Sequence, residues 1–145
     1  MVTPTRAMMG ADNVNSKNLR LIGHEYTGED AVRLIWAEQT GDFRILETTV
    51  PASKLGAACV SGRPAYPYAD SAHGSPRTPV ISPAPGNLKL IAHRGEDTVG
   101  DVTMLWSELG GDRRVLETTI PREELARFAV QNSEPLLHTQ QRAAA

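Results

Sequence analysis

Two histidines, His24 and His93, stand at matching places in the chain, each a few residues ahead of a Gly-Glu-Asp triplet. The acids are Glu29 and Asp30 after the first and Glu96 and Asp97 after the second. An imidazole with two carboxylates is a donor set for a divalent cation or a general base pair. Neither stretch supplies a second histidine at metal-ligand spacing, and "GED" is also an ordinary polar turn, so a solvated loop is the preferred reading. A second pair of carboxylates, Glu47 and Glu117, opens the phrases "ETTVP" (47–51) and "ETTIP" (117–121). Paired carboxylates can do acid and base work. With Arg33, Arg44, Arg113 and Arg114 nearby, these glutamates are expected instead to form an exposed ladder of cross-strand ion pairs. Arg33, Arg44, Glu47, Arg113, Arg114 and Glu117 are thus the candidate binding residues; none is assigned a catalytic role, and no metal or cofactor is expected.

Two other residue types invite chemistry. Trp36 and Trp106 are the only tryptophans and occupy matching positions, where exposed indoles would stack on bases or anchor a partner. Their in-phase alternation with Val32 and Leu34, or Val102 and Met104, points to a core instead. Cys59 is the only cysteine and is matched by Ala129, so a thiol nucleophile would belong to half of the protein only. It is expected to be a small buried hydrophobe.

The repetition behind these pairs is long. "NLRLIGHEYTGEDAVRLIWAEQTGDFRILETTVPASKLGAACV" (18–60) and "NLKLIAHRGEDTVGDVTMLWSELGGDRRVLETTIPREELARFAV" (87–130) agree at about half of their aligned positions, which marks a tandem duplication. Five regions are expected: a flexible tail over 1–17, a first module over 18–60, a linker over 61–86, a second module over 87–131 and a flexible tail over 132–145. The linker carries Pro64, Pro67, Pro76, Pro79, Pro83 and Pro85 and reads as a semi-stiff connector outside any sheet. Its "SPRTP" and "SPAP" lack the flanking charge of a ligand for a proline-binding domain.

Within each module the pattern predicts three strands and a helix. "LRLIGHE" and "LKLIAHR" are β-rich, "VRLIWAE" and "VTMLWSE" alternate with a period of two, and "QTGDF" and "LGGDR" offer hairpin turns in which Gly41 and Gly111 take positive φ. The third strand, "FRILETT" or "RRVLETT", is followed by Pro51 or Pro121 at the first position of a helix, with Thr49 or Thr119 helping to cap it. Leu55, Cys59 and Val60, or Leu125, Phe128 and Ala129, form the apolar helix face. Glu123 and Glu124 favour the second helix, whereas Gly56 weakens the first. About 43 residues is small for an independent fold, so the expected class is α+β, with two β-β-β-α modules sharing a core about a pseudo-twofold axis.

The totals narrow the function classes. The 145 residues carry 15 Lys and Arg against 17 Asp and Glu, a net charge of −2, which provides no long-range pull on nucleic acid or anionic lipid. One cysteine excludes an intramolecular disulfide, and neither a signal-peptide core nor an apolar run of membrane-spanning length is visible, so a cytoplasmic setting without membrane contact is expected. The leading functional expectation is a small non-enzymatic binding or regulatory protein that acts on another protein, such as the accessory or inhibitory factors carried by mobile elements or phages. A nucleic-acid-binding protein using Arg20, Arg33, Arg44, Lys89, Arg113 and Arg114 on one sheet face is the alternative. A metal-dependent enzyme built on the histidines ranks third. Homodimerisation is left open.

Overall fold

In the computed structural model, residues 14–28, 30–68, 79–80, 83–95 and 100–137 are described. Among these residues the chain is α+β, with two antiparallel four-stranded sheets and two α-helices. The strands are β1 (Leu19–Tyr26), β2 (Ala31–Glu38), β3 (Ile45–Pro51), β4 (Tyr66–Pro67), β5 (Leu88–Gly95), β6 (Asp101–Glu108), β7 (Val115–Pro121) and β8 (Leu136–Leu137). Helix α1 covers Ala52–Val60 and α2 covers Arg122–Gln131. One sheet has the order β1-β2-β3-β8 and the other β4-β7-β6-β5.

The period of two in the central strands is realised residue by residue. β2 alternates half-buried and buried positions throughout, with Val32, Leu34, Trp36 and Glu38 inside, and β6 does the same with Val102, Met104, Trp106 and Glu108. Alternation places one face of each sheet in the core and leaves the other to solvent. The hairpins between the second and third strands use positive φ at Gly41 (83°) and Gly111 (76°), as their glycines predict, and also at the non-glycine residues Phe43 (53°) and Arg113 (52°).

Two compact units emerge, and their make-up differs from the expected modules. One unit joins Met1–Val50 to Arg122–Ala145, and the other is the continuous stretch Pro51–Pro121. Each sheet is therefore served by the helix that follows the other sheet's third strand. In the first unit α2 packs on β1 and on the 3-10 turn Ser16–Asn18; in the second, α1 packs on β5, β7 and the turn Pro85–Asn87. The small strands follow their helices, since β8 pairs with β3 through Leu46–Leu137 and Glu47–Leu136, and β4 pairs with β7 through Glu117–Tyr66 and Leu116–Pro67. A helix packed on the strand it follows needs a loop in which to turn back, and none exists here: strand passes to helix at Pro51–Ala52 and Pro121–Arg122.

Three local expectations change accordingly. The linker is not wholly outside a sheet, because Tyr66–Pro67 form β4, Ala65 bridges Val80 and Pro83 is buried. The segment after α2 is built in rather than frayed as far as Leu137, through β8. Pro51 is the N-cap of α1 in extended geometry (φ −63°, ψ 136°) with no side-chain cap, so neither it nor Thr49 plays the expected part. Gly56, a weak helix former, is explained by packing: a Cβ there would sit 3.3 Å from the Pro85 carbonyl oxygen. Helix α1 needs that closeness more than helix propensity.

Candidate functional site

The inner faces hold several of the polar residues that the two segments share. Each tryptophan is fully buried and donates its indole N–H to a threonine of the next strand, Trp36 to Thr48 Oγ1 at 2.9 Å and Trp106 to Thr118 Oγ1 at 2.8 Å. The first threonine of each "ETT" thus satisfies a donor that burial would otherwise strand. The core reading of the tryptophans holds, and so does that of Cys59, which is buried with its Sγ 3.4 Å from Met104 Sδ.

Each hairpin is closed by a glutamate that sequence reasoning passed over. Glu38 accepts from Arg44 at its backbone N (2.8 Å), Nε (2.9 Å) and Nη2 (2.7 Å), and Glu108 accepts the same three bonds from Arg114 at 2.9, 2.9 and 2.8 Å. The arginine fork against a nearly buried carboxylate is a bidentate, charge-assisted clasp. Asn18 and Asn87 add a second fastening, each binding the loop through its side-chain oxygen and amide: Asn18 to Thr40, and Asn87 to Gly110. The signal was available, as Glu and Arg recur six residues apart across both turns and Asn opens both segments.

Hydrogen bonding by Arg44 holds the Glu38 carboxyl below its ordinary range, against the opposing effect of burial, and Arg114 does the same to Glu108. The sign follows from linkage: carboxylates with depressed folded-state values stabilise the fold above the unfolded value and lose that contribution as pH falls through the folded one. His24, half-buried, is depressed from 6.5 by desolvation, so its protonation also works against the folded state, from about pH 6.5 downward. Acid is therefore expected to lower the melting temperature in two stages. A His24→Asn variant removes the upper stage, and Glu38→Gln, at about 1–3 kcal/mol, weakens the lower one; melts from pH 8 to 3 check both.

The outer faces hold the remaining candidates. Arg33 lies between two acids, with Nη2 2.7 Å from Glu25 and Nη1 3.5 Å from Glu47. Glu47 is only 8 % exposed, so it is not a rung of an exposed ladder, and Arg44 is held by Glu38 rather than by Glu47. Glu117 is half-buried on β7, while Arg113 is exposed in its turn. The six basic residues do not share one sheet face: Arg20, Arg33 and Arg44 belong to the first unit, and Lys89, Arg113 and Arg114 to the second. His24 and His93 are half-buried and paired with Leu34 and Met104 on the core-facing rows. Glu29, Glu96 and Asp97 lie outside the described residues, among which no group of three His, Cys, Asp or Glu is placed to hold a metal ion. The Nε and Nη1 atoms of Arg122 are buried without a hydrogen-bond partner among the described residues, and nothing in the structure accounts for them.

One further matched feature appears only in three dimensions. β1 and β5 each end the order of their sheet, and each breaks register at an isoleucine: Ile22, between Leu21 and Gly23, and Ile91, between Leu90 and Ala92. Both isoleucines are 45 % exposed. A bulge re-aims a side chain and disturbs the ladder on an edge strand. No helix among the described residues is long and apolar enough to cross a membrane. No protein-family model matches the chain, and no curated protein or solved structure matches it either.

Proposed function

We propose that the chain is a tandem duplication on a pseudo-twofold plan that works as a non-enzymatic binding protein in the cytoplasm, with another protein as its partner. The observation that carries this reading is the pair Ile22 and Ile91, large apolar side chains held 45 % exposed by matching bulges on edge strands. A single exposed isoleucine is ordinary, but two at equivalent bulges, where folding asks nothing apolar, suit contact with a partner. The shared polar residues support the same direction, because the Glu38–Arg44, Glu108–Arg114, Trp36–Thr48 and Trp106–Thr118 pairs serve the fold. The nucleic-acid alternative has less support, since Arg33, Arg44 and Arg114 are engaged by carboxylates. The test is an Ile22→Asp, Ile91→Asp double variant: its melting temperature should stay within a few degrees of the wild type, while proteins retained by the immobilised wild type are lost. Retention of the same proteins by the variant removes this surface from consideration, and capture of nucleic acid that weakens steeply with salt supports the alternative.

A further inference from the structure

We propose that the outer edge of β1 pairs with the same edge of a second copy of this chain, antiparallel about a twofold axis that passes between Ile22 and Gly23. This goes beyond the protein-binding reading above, which names no occupant for either edge. β1 ends its sheet and has β2 as its hydrogen-bonded neighbour. Arg20 is exposed, and its side chain makes no hydrogen bond or ion pair among the described residues. Ile22 is 45 % exposed, and the Glu25 side chain is 59 % exposed although Arg33 holds its Oε1. An open edge strand offers a row of backbone donors and acceptors to an extended chain.

The break at Ile22 narrows the choice of chain. Leu19, Leu21, His24 and Tyr26 lie opposite Glu38, Trp36, Leu34 and Val32 on the core-facing row, whereas Arg20, Gly23 and Glu25 lie opposite Ala37, Ile35 and Arg33 on the outer row. The alternation changes phase at Ile22, and a regular strand laid along the edge must leave that residue unmatched, as β2 does. A second β1 carries the same break. Run antiparallel, two copies place Leu19 opposite Tyr26, Arg20 opposite Glu25, Leu21 opposite His24 and Ile22 opposite Gly23. Core-facing residues then meet core-facing ones, outer residues meet outer ones, and Ile22 faces a residue without a side chain. The pairing is isologous, so each of these contacts occurs twice.

Charge selects this copy over the other bulged strand. On the outer row Arg20 meets Glu25 of the second copy, and the reverse, which gives two attractive cross-strand pairs. The Glu25, Arg33 and Glu47 cluster holds two carboxylates and one guanidinium, so an incoming arginine neutralises it. A carboxylate has about four acceptor sites, enough for Arg33 and a second donor. β5 breaks at Ile91 in the same way, but two β5 strands paired alike set Lys89 against Arg94 twice. A β1 laid on a β5 gains Glu25 against Lys89 and loses as much at Arg20 against Arg94. Of the three pairings, β1 with β1 alone attracts at both positions.

Two eight-residue edges form a small interface, so a weak dimer is expected, with Kd on the order of 10–100 µM. Sedimentation velocity of the full chain at concentrations on either side of that range should show monomer passing to dimer. Backbone amide shifts on dilution should be confined to Leu19–Tyr26 and the strand beside it. Arg20→Glu and Glu25→Arg should each weaken the dimer at least about tenfold. An equimolar mixture of those two variants should recover it as a heterodimer, because every repelling pair becomes an attracting one, and misfolding does not imitate that recovery. Ile22→Asp should abolish self-association, and Ile91→Asp should leave it unchanged. A wild type that stays monomeric throughout, a mixture that does not recover, or a dimer lost in Ile91→Asp but kept in Ile22→Asp would each overturn the proposal. If it falls while the Ile22→Asp, Ile91→Asp double variant still loses captured proteins, the protein-binding reading stands without it.

Discussion

The continuous fragment Pro51–Pro121 is expected to fold by itself, whereas a fragment of residues 18–60 is not expected to fold as a monomer. The first contains α1, β4, β5, β6 and β7, together with the contacts that α1 makes to β5, β7 and the Pro85–Asn87 turn. The second contains β1, β2 and β3 but not α2, the helix that packs on β1. Without it the row Val32, Leu34, Trp36, Leu46 and Val50 faces water. Burying a large apolar side chain contributes about 1.5–3 kcal/mol, and a whole domain is stable by only about 5–15 kcal/mol, so losing the cover for such a row removes more than the margin. Circular dichroism and a urea titration decide it. Pro51–Pro121 should give a cooperative transition with slope appropriate to about 70 residues, and 18–60 should give none at low concentration. A cooperative monomeric transition in 18–60 would mean that its helix can cover its own sheet.

Replacing Trp36 by Ala should be the most damaging single substitution, at about 3–5 kcal/mol, with Trp106→Ala its equivalent in the second unit. The indole is fully buried, so its removal combines lost transfer energy with a cavity, and it also leaves Thr48 Oγ1 without its donor. Thr48→Val tests the polar part alone: the shape is kept but a buried N–H is orphaned, at about 1–3 kcal/mol. Trp36→Phe removes the donor instead. Combining Trp36→Phe with Thr48→Val should therefore be less harmful than the sum of the two, because the second change no longer strands a partner. Trp36→Ala also leaves Trp106 as the sole indole, whose fluorescence follows the second unit alone. Additive effects in the double variant would mean that the hydrogen bond is energetically silent.

The elements were legible because their signals are local. Alternation in "VRLIWAE" and "VTMLWSE" fixes the buried row directly, and glycine in each turn announces the positive φ at Gly41 and Gly111. Which helix covers which sheet was not legible, because that choice depends on the absence of a turning loop at Pro51 and Pro121, and period analysis does not weigh it. Glu38 and Glu108 were missed for a different reason: at the end of an alternating strand an acid reads as a solvated residue, yet the hairpin brings an arginine fork back to it. The outer carboxylates were found by type but misjudged in setting, since Glu47 is nearly buried by its neighbours while register alone suggests exposure. The bulged isoleucines could not be seen, as a register break leaves no mark in composition or period.

The division of the chain into a continuous and an interrupted unit also bears on synthesis. The ribosome makes β1, β2 and β3 first, but the helix and small strand that complete their unit are made only after Pro121. At about 5–20 residues per second, the interval of roughly 70 residues lasts about 4–14 s, during which the second-made unit is finished and the first-made sheet is not. The nascent chain therefore matures out of order, with an apolar sheet face open to chaperones throughout that wait. Any premature stop between Pro121 and Leu137 would strand the amino-terminal half rather than trim the carboxy-terminal one.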